Sequence, residues 1–595
     1  MSRRVLVVPL VAASAAIAVA LPASAGGVGT HIYDGRDVDD GEFPQVAYVS
    51  DATGAFCTGT LVAPSSVLTA AHCLHPEPDV VTEPDDLQVV VGTDTREERE
   101  QATRDEGLRG VAAVDTHPDY DGHAGSGAVG DFVADLALLE LDEPIDGITP
   151  ATVAAEPPDG GEEGTVVGWG LTGPENTDGL PDRLQAATVT IRSPEACAEL
   201  FDGVHDFEDD SGGYDPEVML CAGEPDHHGP ETCQGDSGGP LFATGSSEIL
   251  GVTSFGSGGR CDGTGVGGYT LGAAYADWVF VNSADPDVAP TRLSSADRIA
   301  TALDVAARWE PADTETVVLA TARDFPDALA AGAYATARAA PLLLTEPDTM
   351  PAEVGDEIAR LAPEEVVLLG GEGAVSEDVA DAVAALGPEP DRIAGEDRYA
   401  TAAALARAAD APAGEVLVAS GEGFADAVSA GALLGTDAPP PLVLAREDGV
   451  PEASLDALAA LDAERVTLVG GTAALGPEVA DALSDAGYEV TRLAGEDRYA
   501  TSAQVLGEAL DRHDTRDGRT LVAATGEAYP DALAAGVLAG AEQGVLALVP
   551  PDGPPAAAVD ALAAATWSEL LVVGGEAALA EVAALRLAVE LSPAP

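Results

Sequence analysis

Lysine is absent from this 595-residue chain. All 27 basic residues are arginine, set against 103 Asp and Glu, for a formal net charge of -76. Binding phosphate needs clustered positive charge, so this balance excludes nucleic acid and an anionic membrane surface as partners. Such self-repulsion destabilises a compact state at low salt and is screened at high salt. A halophilic source is therefore expected. The bland alternative is a GC-rich genome, which favours Arg, Ala, Gly, Asp and Glu and would leave lysine out by itself.

Cysteine is absent beyond Cys261; all six lie between Cys57 and that residue. Long apolar runs are also absent after residue 21, which excludes a later membrane-spanning helix. The one such run, residues 5–21, follows Arg3 and Arg4 and ends at Ala23-Ser24-Ala25. That pattern reads as an export signal over 1–25, with no stable membrane insertion once it is removed. In a secreted chain an even cysteine count confined to one region reads as a disulfide framework, although six cysteines allow 15 pairings.

At this length about three to five domains are expected. Residues 32–284 are rich in Gly, Thr and Val with short alternating apolar stretches, the texture of an all-β barrel or sandwich. A Pro- and Asp-rich linker is expected over 285–291. Beyond it, Asp297-Arg298-Ile299-Ala300-Thr301 returns as Asp397-Arg398-Tyr399-Ala400-Thr401 and as Asp497-Arg498-Tyr499-Ala500-Thr501, at an offset of 100 residues each time. An Asp-Ala-Leu or Asp-Ala-Val marker (Asp327, Asp426, Asp531) and a Gly-Gly marker (Gly370, Gly470, Gly574) recur in the same order. Strand-like runs alternate with Ala-rich amphipathic stretches, implying three α/β domains at 292–390, 391–490 and 491–595. Asp397 and Asp497 stand where good helix N-caps would.

Three signatures in the first region carry chemistry. They are Leu68-Thr69-Ala70-Ala71-His72-Cys73, then Asp135-Leu136-Ala137-Leu138-Leu139, then Gly235-Asp236-Ser237-Gly238-Gly239-Pro240. Nucleophilic acyl transfer needs a hydroxyl, an imidazole to take its proton and a buried carboxylate to hold the imidazole tautomer. Each signature alone is more often a turn, a satisfied core histidine or a strand cap. Together, and with Gly168-Trp169-Gly170 and Ser254-Phe255-Gly256, they make residues 32–284 resemble the chymotrypsin/trypsin family of serine proteases.

That resemblance implies a double six-stranded barrel and no cofactor or metal. His72 would be the base, Asp135 its orienter, Ser237 the nucleophile, and the amides of Gly235 and Ser237 the oxyanion hole. The specificity pocket would hold Glu231 at its base, with Ser254, Gly256 and Gly267 on its walls. Family members that cleave after Arg or Lys carry Asp where Glu231 stands, so a basic preference is expected, with Arg260 a neighbour able to neutralise it. Bridges Cys57–Cys73, Cys197–Cys221 and Cys233–Cys261 are implied. Ile32 resembles the mature start of a zymogen whose freed ammonium pairs with Asp236. His31 departs from the family's basic residue there, so removal of the short propeptide 26–31 would fall to another protease.

The repeats, in the Arg-Leu/Ile-Ala-Gly-x-Asp-Arg-Tyr-Ala-Thr runs at Arg392–Thr401 and Arg492–Thr501 and the weaker Arg292–Thr301, resemble the cell wall-binding repeat type 2 family. This implies Rossmann- or Toprim-like domains that hold an exported protein to an anionic wall polymer. Arg298, Arg398 and Arg498 are the ligand candidates, with internal capping and ion pairing as their bland reading. The chain as a whole reads as a wall-associated endopeptidase acting on protein or peptide substrates. The rival reading is a surface adhesion or wall-organising protein whose protease-like domain only binds.

Overall fold

The computed structural model describes Ile32 and residues 35–591, apart from 76–79, 121–131, 173–180, 202–213, 225–228, 258–260, 262–264, 285, 325, 410–413, 436–438, 513–517 and 552. The export signal, the residues of the expected propeptide and Arg260 lie outside the described residues. The chain forms two compact units, one ending at Tyr275 and the other beginning at Ala276.

In the first unit the strands are β1 (Arg36–Asp37), β2 (Val46–Asp51), β3 (Phe56–Ala63), β4 (Ser66–Thr69), β5 (Leu87–Val91), β6 (Leu108–Thr116), β7 (Ala137–Leu141), β8 (Thr152–Val153), β9 (Glu163–Gly168), β10 (Gln185–Thr190), β11 (Met219–Ala222), β12 (Pro240–Ala243), β13 (Glu248–Gly256) and β14 (Gly267–Leu271). Alternation places Val49, Leu61, Val67, Val89 and Leu139 inside a closed barrel of order β2-β3-β4-β7-β6-β5. At Gly59 an added Cβ would stand 2.7 Å from Val67 Cγ1, so the strands crowd together there without a side chain.

Where a second closed barrel is expected, the sheet runs β1-β10-β9-β12-β13-β14-β11 and has no full closing ladder. A single bridge, Ile191 to Ala222, joins its two ends, with Gly223 N donating to Thr190 O at 3.0 Å. The reason is length: β10 has ended and β11 has only four residues, so the closing edge holds one pair rather than a ladder.

The second unit is three four-stranded sheets, every pairing parallel. Its strands are β15 (Pro290–Leu293), β16 (Thr316–Thr321), β17 (Leu342–Thr345), β18 (Glu365–Leu369), β19 (Glu389–Ile393), β20 (Glu415–Ser420), β21 (Leu442–Ala445), β22 (Arg465–Val469), β23 (Glu489–Leu493), β24 (Arg519–Thr525), β25 (Val545–Val549) and β26 (Trp567–Val573). The orders are β17-β16-β18-β19, β21-β20-β22-β23 and β15-β26-β24-β25. Strands such as Thr316–Thr321 are buried along their whole length, as helices on both faces of a parallel sheet require.

Two expected boundaries change here. The linker ends earlier than residue 291, because Pro290–Leu293 is a strand of the third sheet. The sheets also cross the repeat borders: β19 and β23, each running from the end of one sequence repeat into the next, complete the sheets of repeats one and two. A border drawn from motif spacing follows similarity, whereas sheet membership follows which edge can pair.

Among the described residues no helix is long and apolar enough to cross a membrane.

Candidate active site

β4 and β7 run antiparallel with Thr69 opposite Ala137. Extending that register past the strand ends brings residue 72 beside residues 134 and 135, so the barrel ladder itself carries His72 to Asp135. His72 sits in the short turn Ala71–Cys73, and Ala134, at φ +53, bends the chain inward just before Asp135. The His72 backbone N–H donates to Asp135 Oδ1 at 2.8 Å, and His72 Nδ1 lies 2.7 Å from Asp135 Oδ2. One imidazole nitrogen is thereby occupied, which leaves Nε2, 4.0 Å from Cys73 Sγ, as the nitrogen available for proton transfer.

Ser237 arrives from the second sheet in the turn before β12. Thr58 holds that turn at two points: its N–H donates to Ser237 O at 2.9 Å and its hydroxyl to Gly235 O at 2.8 Å. Gly238, at φ +79, packs against Ala70 N and the Thr69 hydroxyl so closely that a Cβ would not fit. The serine turn is thus pressed onto the end of the strand that leads to His72. Ser237 Oγ makes no hydrogen bond to His72 Nε2, a contact that commonly tightens only with substrate in place. Among the described residues the amides of Gly235 and Ser237 donate to no protein acceptor.

Burial opposes a charged His72, but the charge and hydrogen bond of Asp135 outweigh it and hold the imidazole pKa above its ordinary value. Burial likewise opposes ionised Asp135, and the His72 charge with hydrogen bonds from His72 and Ser254 keeps that carboxyl below its usual range.

Ser254, read from the sequence as a pocket wall, donates its hydroxyl to Asp135 Oδ2 at 2.5 Å. Glu231 is buried and its carboxyl stands against Gly265. Gly256 leaves its wall open, since a Cβ there would meet only Val266 O at 3.7 Å. Gly267 does not: the Tyr269 hydroxyl and Thr232 Oγ1 already fill the space beside it.

Asp236 is fully buried, accepting from Gly170 N and Cys233 N at 2.8 Å each. Among the described residues no cation faces it, and burial pushes its pKa up to about 7. Ile32 is buried in the core of the second sheet.

Two of the expected bridges, Cys57–Cys73 and Cys197–Cys221, are present. Cys233 and Cys261 stand as buried free thiols rather than as a covalent bridge. Cys261 occupies the left-handed region at φ +48, and its sulfur is turned to Gln234 Oε1 at 3.1 Å.

Sequence reading missed an aromatic wall beside the histidine. Phe132 meets the His72 ring edge-on at 5.9 Å and stacks on Phe255 at 5.5 Å. Phe132 carries no local motif, so nothing in the chain marked it.

In the second unit Asp297 and Asp397 each accept from two amides of the helix that follows, and Asp497 accepts from Ala500 N. The Asp and Gly-Gly markers meet in space: at Gly370, Gly470 and Gly574, a Cβ would run into Asp327, Asp426 and Asp531. Arg298, Arg398 and Arg498 donate to the carbonyls of Ala322, Gly421 and Gly526, each just past a strand end. Arg498 also lines a cavity with Phe424, Asp426 and Glu496. Arg292, Arg392 and Arg492 donate to the carbonyls of Gly574, Gly370 and Gly470.

Residues 32–279 match the family model for trypsin. Residues 292–380, 392–480 and 492–583 match Cell wall binding domain 2. A trypsin of Saccharopolyspora erythraea is 33% identical over 38% of this chain and 87% of its own length. Human kallikrein-4 is 30% identical over 42% and 86%. Among solved structures, Cwp8 from Clostridium difficile is 24% identical, covering 52% of this chain and 53% of that one at a TM-score of 0.46. The chain belongs to the trypsin family of serine endopeptidases and carries three cell wall-binding repeats behind its peptidase region.

Proposed function

We propose that this is an exported endopeptidase, retained at the cell wall by its repeats, that cleaves after Arg or Lys through an acyl-enzyme on Ser237. The observation that carries the reading is the His72–Asp135 pair, with the serine turn pinned to the end of the same strand and two unengaged amides beside it. His72 takes the Ser237 proton as the oxygen attacks the scissile carbonyl, and returns it to the leaving amine. The amides of Gly235 and Ser237 receive the developing oxyanion. Asp135 steadies the imidazolium in between. Glu231 is a buried carboxylate, and at the base of the pocket it would favour a basic side chain by charge pairing in a partly dry site.

Activation follows from Asp236. With no cation beside it among the described residues, this buried carboxyl is an incomplete site, and an ammonium freed at Ile32 by removal of 26–31 would supply the missing partner. For the repeats, the reading is retention on an anionic wall polymer. The net charge makes salt or divalent cations necessary to screen the approach.

A fluorophosphonate probe should label the wild-type chain and not Ser237→Ala, and labelling should rise once residues before Ile32 are removed. Equal labelling of both proteins, or none at any salt concentration, favours a domain that only binds. A peptide panel cleaved after Leu or Phe in preference to Arg would reject the specificity assignment. Failure to pellet with purified walls at both low and high salt would reject retention.

A further inference from the structure

In a chain where acidic residues outnumber basic ones almost fourfold, most described arginines find a carboxylate or carbonyl. Arg99 is different. It lies on the short helix Arg96–Gln101, is 7% exposed, and its Nη1 is buried with no hydrogen-bond partner. Burial works against its charge. Its guanidinium instead fills the corner between two rings that meet edge-on at 6.3 Å, 4.0 Å from the centroid of Tyr48 and 4.7 Å from that of Trp169. A desolvated cation against two aromatic rings is a strong and directional arrangement, and here it braces the corner the rings make.

Each ring leads to the serine turn. Tyr48 stacks on Phe56 at 5.5 Å, and Phe56 abuts Gly235 so closely that a Cβ on that glycine would collide with the ring. Trp169 is followed by Gly170, whose Cα stands 3.0 Å from the same Cβ position and whose N–H holds Asp236. Gly235 therefore sits in a slot with Phe56 on one side and Gly170 on the other. Arg99 ties the backs of both walls together.

We propose that Arg99 is a positioning residue for the oxyanion-binding turn, its guanidinium setting the spacing of the two walls between which Gly235 is held. This rests on the reading that the Gly235 and Ser237 amides receive the oxyanion. Arg99 touches no substrate. Its effect falls on the transition state, because a small displacement of the amides weakens their hold on the oxyanion far more than their hold on a ground-state carbonyl.

The test is steady-state peptide hydrolysis by the full chain in its active form, comparing Arg99→Met, Arg99→Lys, Tyr48→Leu and the Arg99→Met/Tyr48→Leu double variant. Arg99→Met should lower kcat about tenfold with KM changed less than about twofold, as loss of a transition-state contact requires. Arg99→Lys should recover most of that loss, since a cation between the rings is restored. Tyr48→Leu should reproduce the defect, and the double variant should be no worse than the poorer single, the mark of residues acting as one unit. If Arg99→Met fails to fold, Tyr48→Leu with and without Arg99→Lys carries the comparison. Unchanged kcat, a loss confined to KM, or defects that multiply would overturn the proposal. Ser237→Ala run alongside separates the two readings: activity surviving in that variant would instead reject the acyl-enzyme itself.

Discussion

The Ser254 hydroxyl and the Asp135 carboxylate are 2.5 Å apart, and the oxygen they share, Oδ2, is the one facing His72 Nδ1. That carboxylate oxygen therefore serves two donors. Removing one strengthens its pull on the other. Ser254→Ala should raise the His72 pKa and move the acid limb of kcat/KM to higher pH, with kcat falling several-fold, on the order of the contribution of one charge-assisted hydrogen bond. An unmoved limb would show that the serine only fills space.

The acid limb itself has a predicted place. His72 acts as base only when neutral, and Asp135 holds its pKa above the ordinary value of 6.5. Activity should thus be lost as pH falls through a value above 6.5, checked by the pH profile of kcat/KM. A limb well below that would mean the pair is not formed in the free enzyme.

Asp236 makes the uncleaved chain sensitive to pH in the opposite sense from most carboxylates. Its pKa is raised to about 7 from an unfolded value of 3.8. The unfolded chain gives up this proton first as pH rises, so the stability it supports is full below pH 4 and lost by about pH 7. The change is at most about 4 kcal/mol. The difference in thermal midpoint between wild type and Asp236→Asn should change in that window, and a pH-independent difference would contradict the assignment. Once an ammonium faces Asp236 the trend should disappear.

Arg292, Arg392 and Arg492 should matter for stability alone. Each donates to the carbonyl at a Gly-Gly turn, so an Ala substitution leaves an acceptor unpaired at a cost of about 1–3 kcal/mol. Melting of the full-chain variants should show the loss while peptidase turnover stays at the wild-type level.

Cys233 and Cys261 are expected to close into a third bridge in an oxidising compartment, as the resemblance to the family implies. Alkylation of the chain produced in an oxidising compartment, followed by mass measurement, should then find no reactive thiol. Two modified cysteines at these positions would show that the pair persists reduced.

Composition, order of signatures and repeat offset were enough to bring His72 together with Asp135, to propose Ser237 beside them, and to find the two-part architecture and the helix caps at Asp397 and Asp497. These are local matters: a turn needs its glycine, a cap its short carboxylate, and a barrel strand its alternation, all written within a few residues. Where Ser254 aims its hydroxyl, that Gly267 is blocked by Tyr269, that Phe132 walls the histidine, and that Pro290–Leu293 joins the third repeat were decided only by folding. Those depend on which surfaces meet across tens or hundreds of residues, and contact at such separation is settled by packing and by free sheet edges, which no stretch of chain contains by itself.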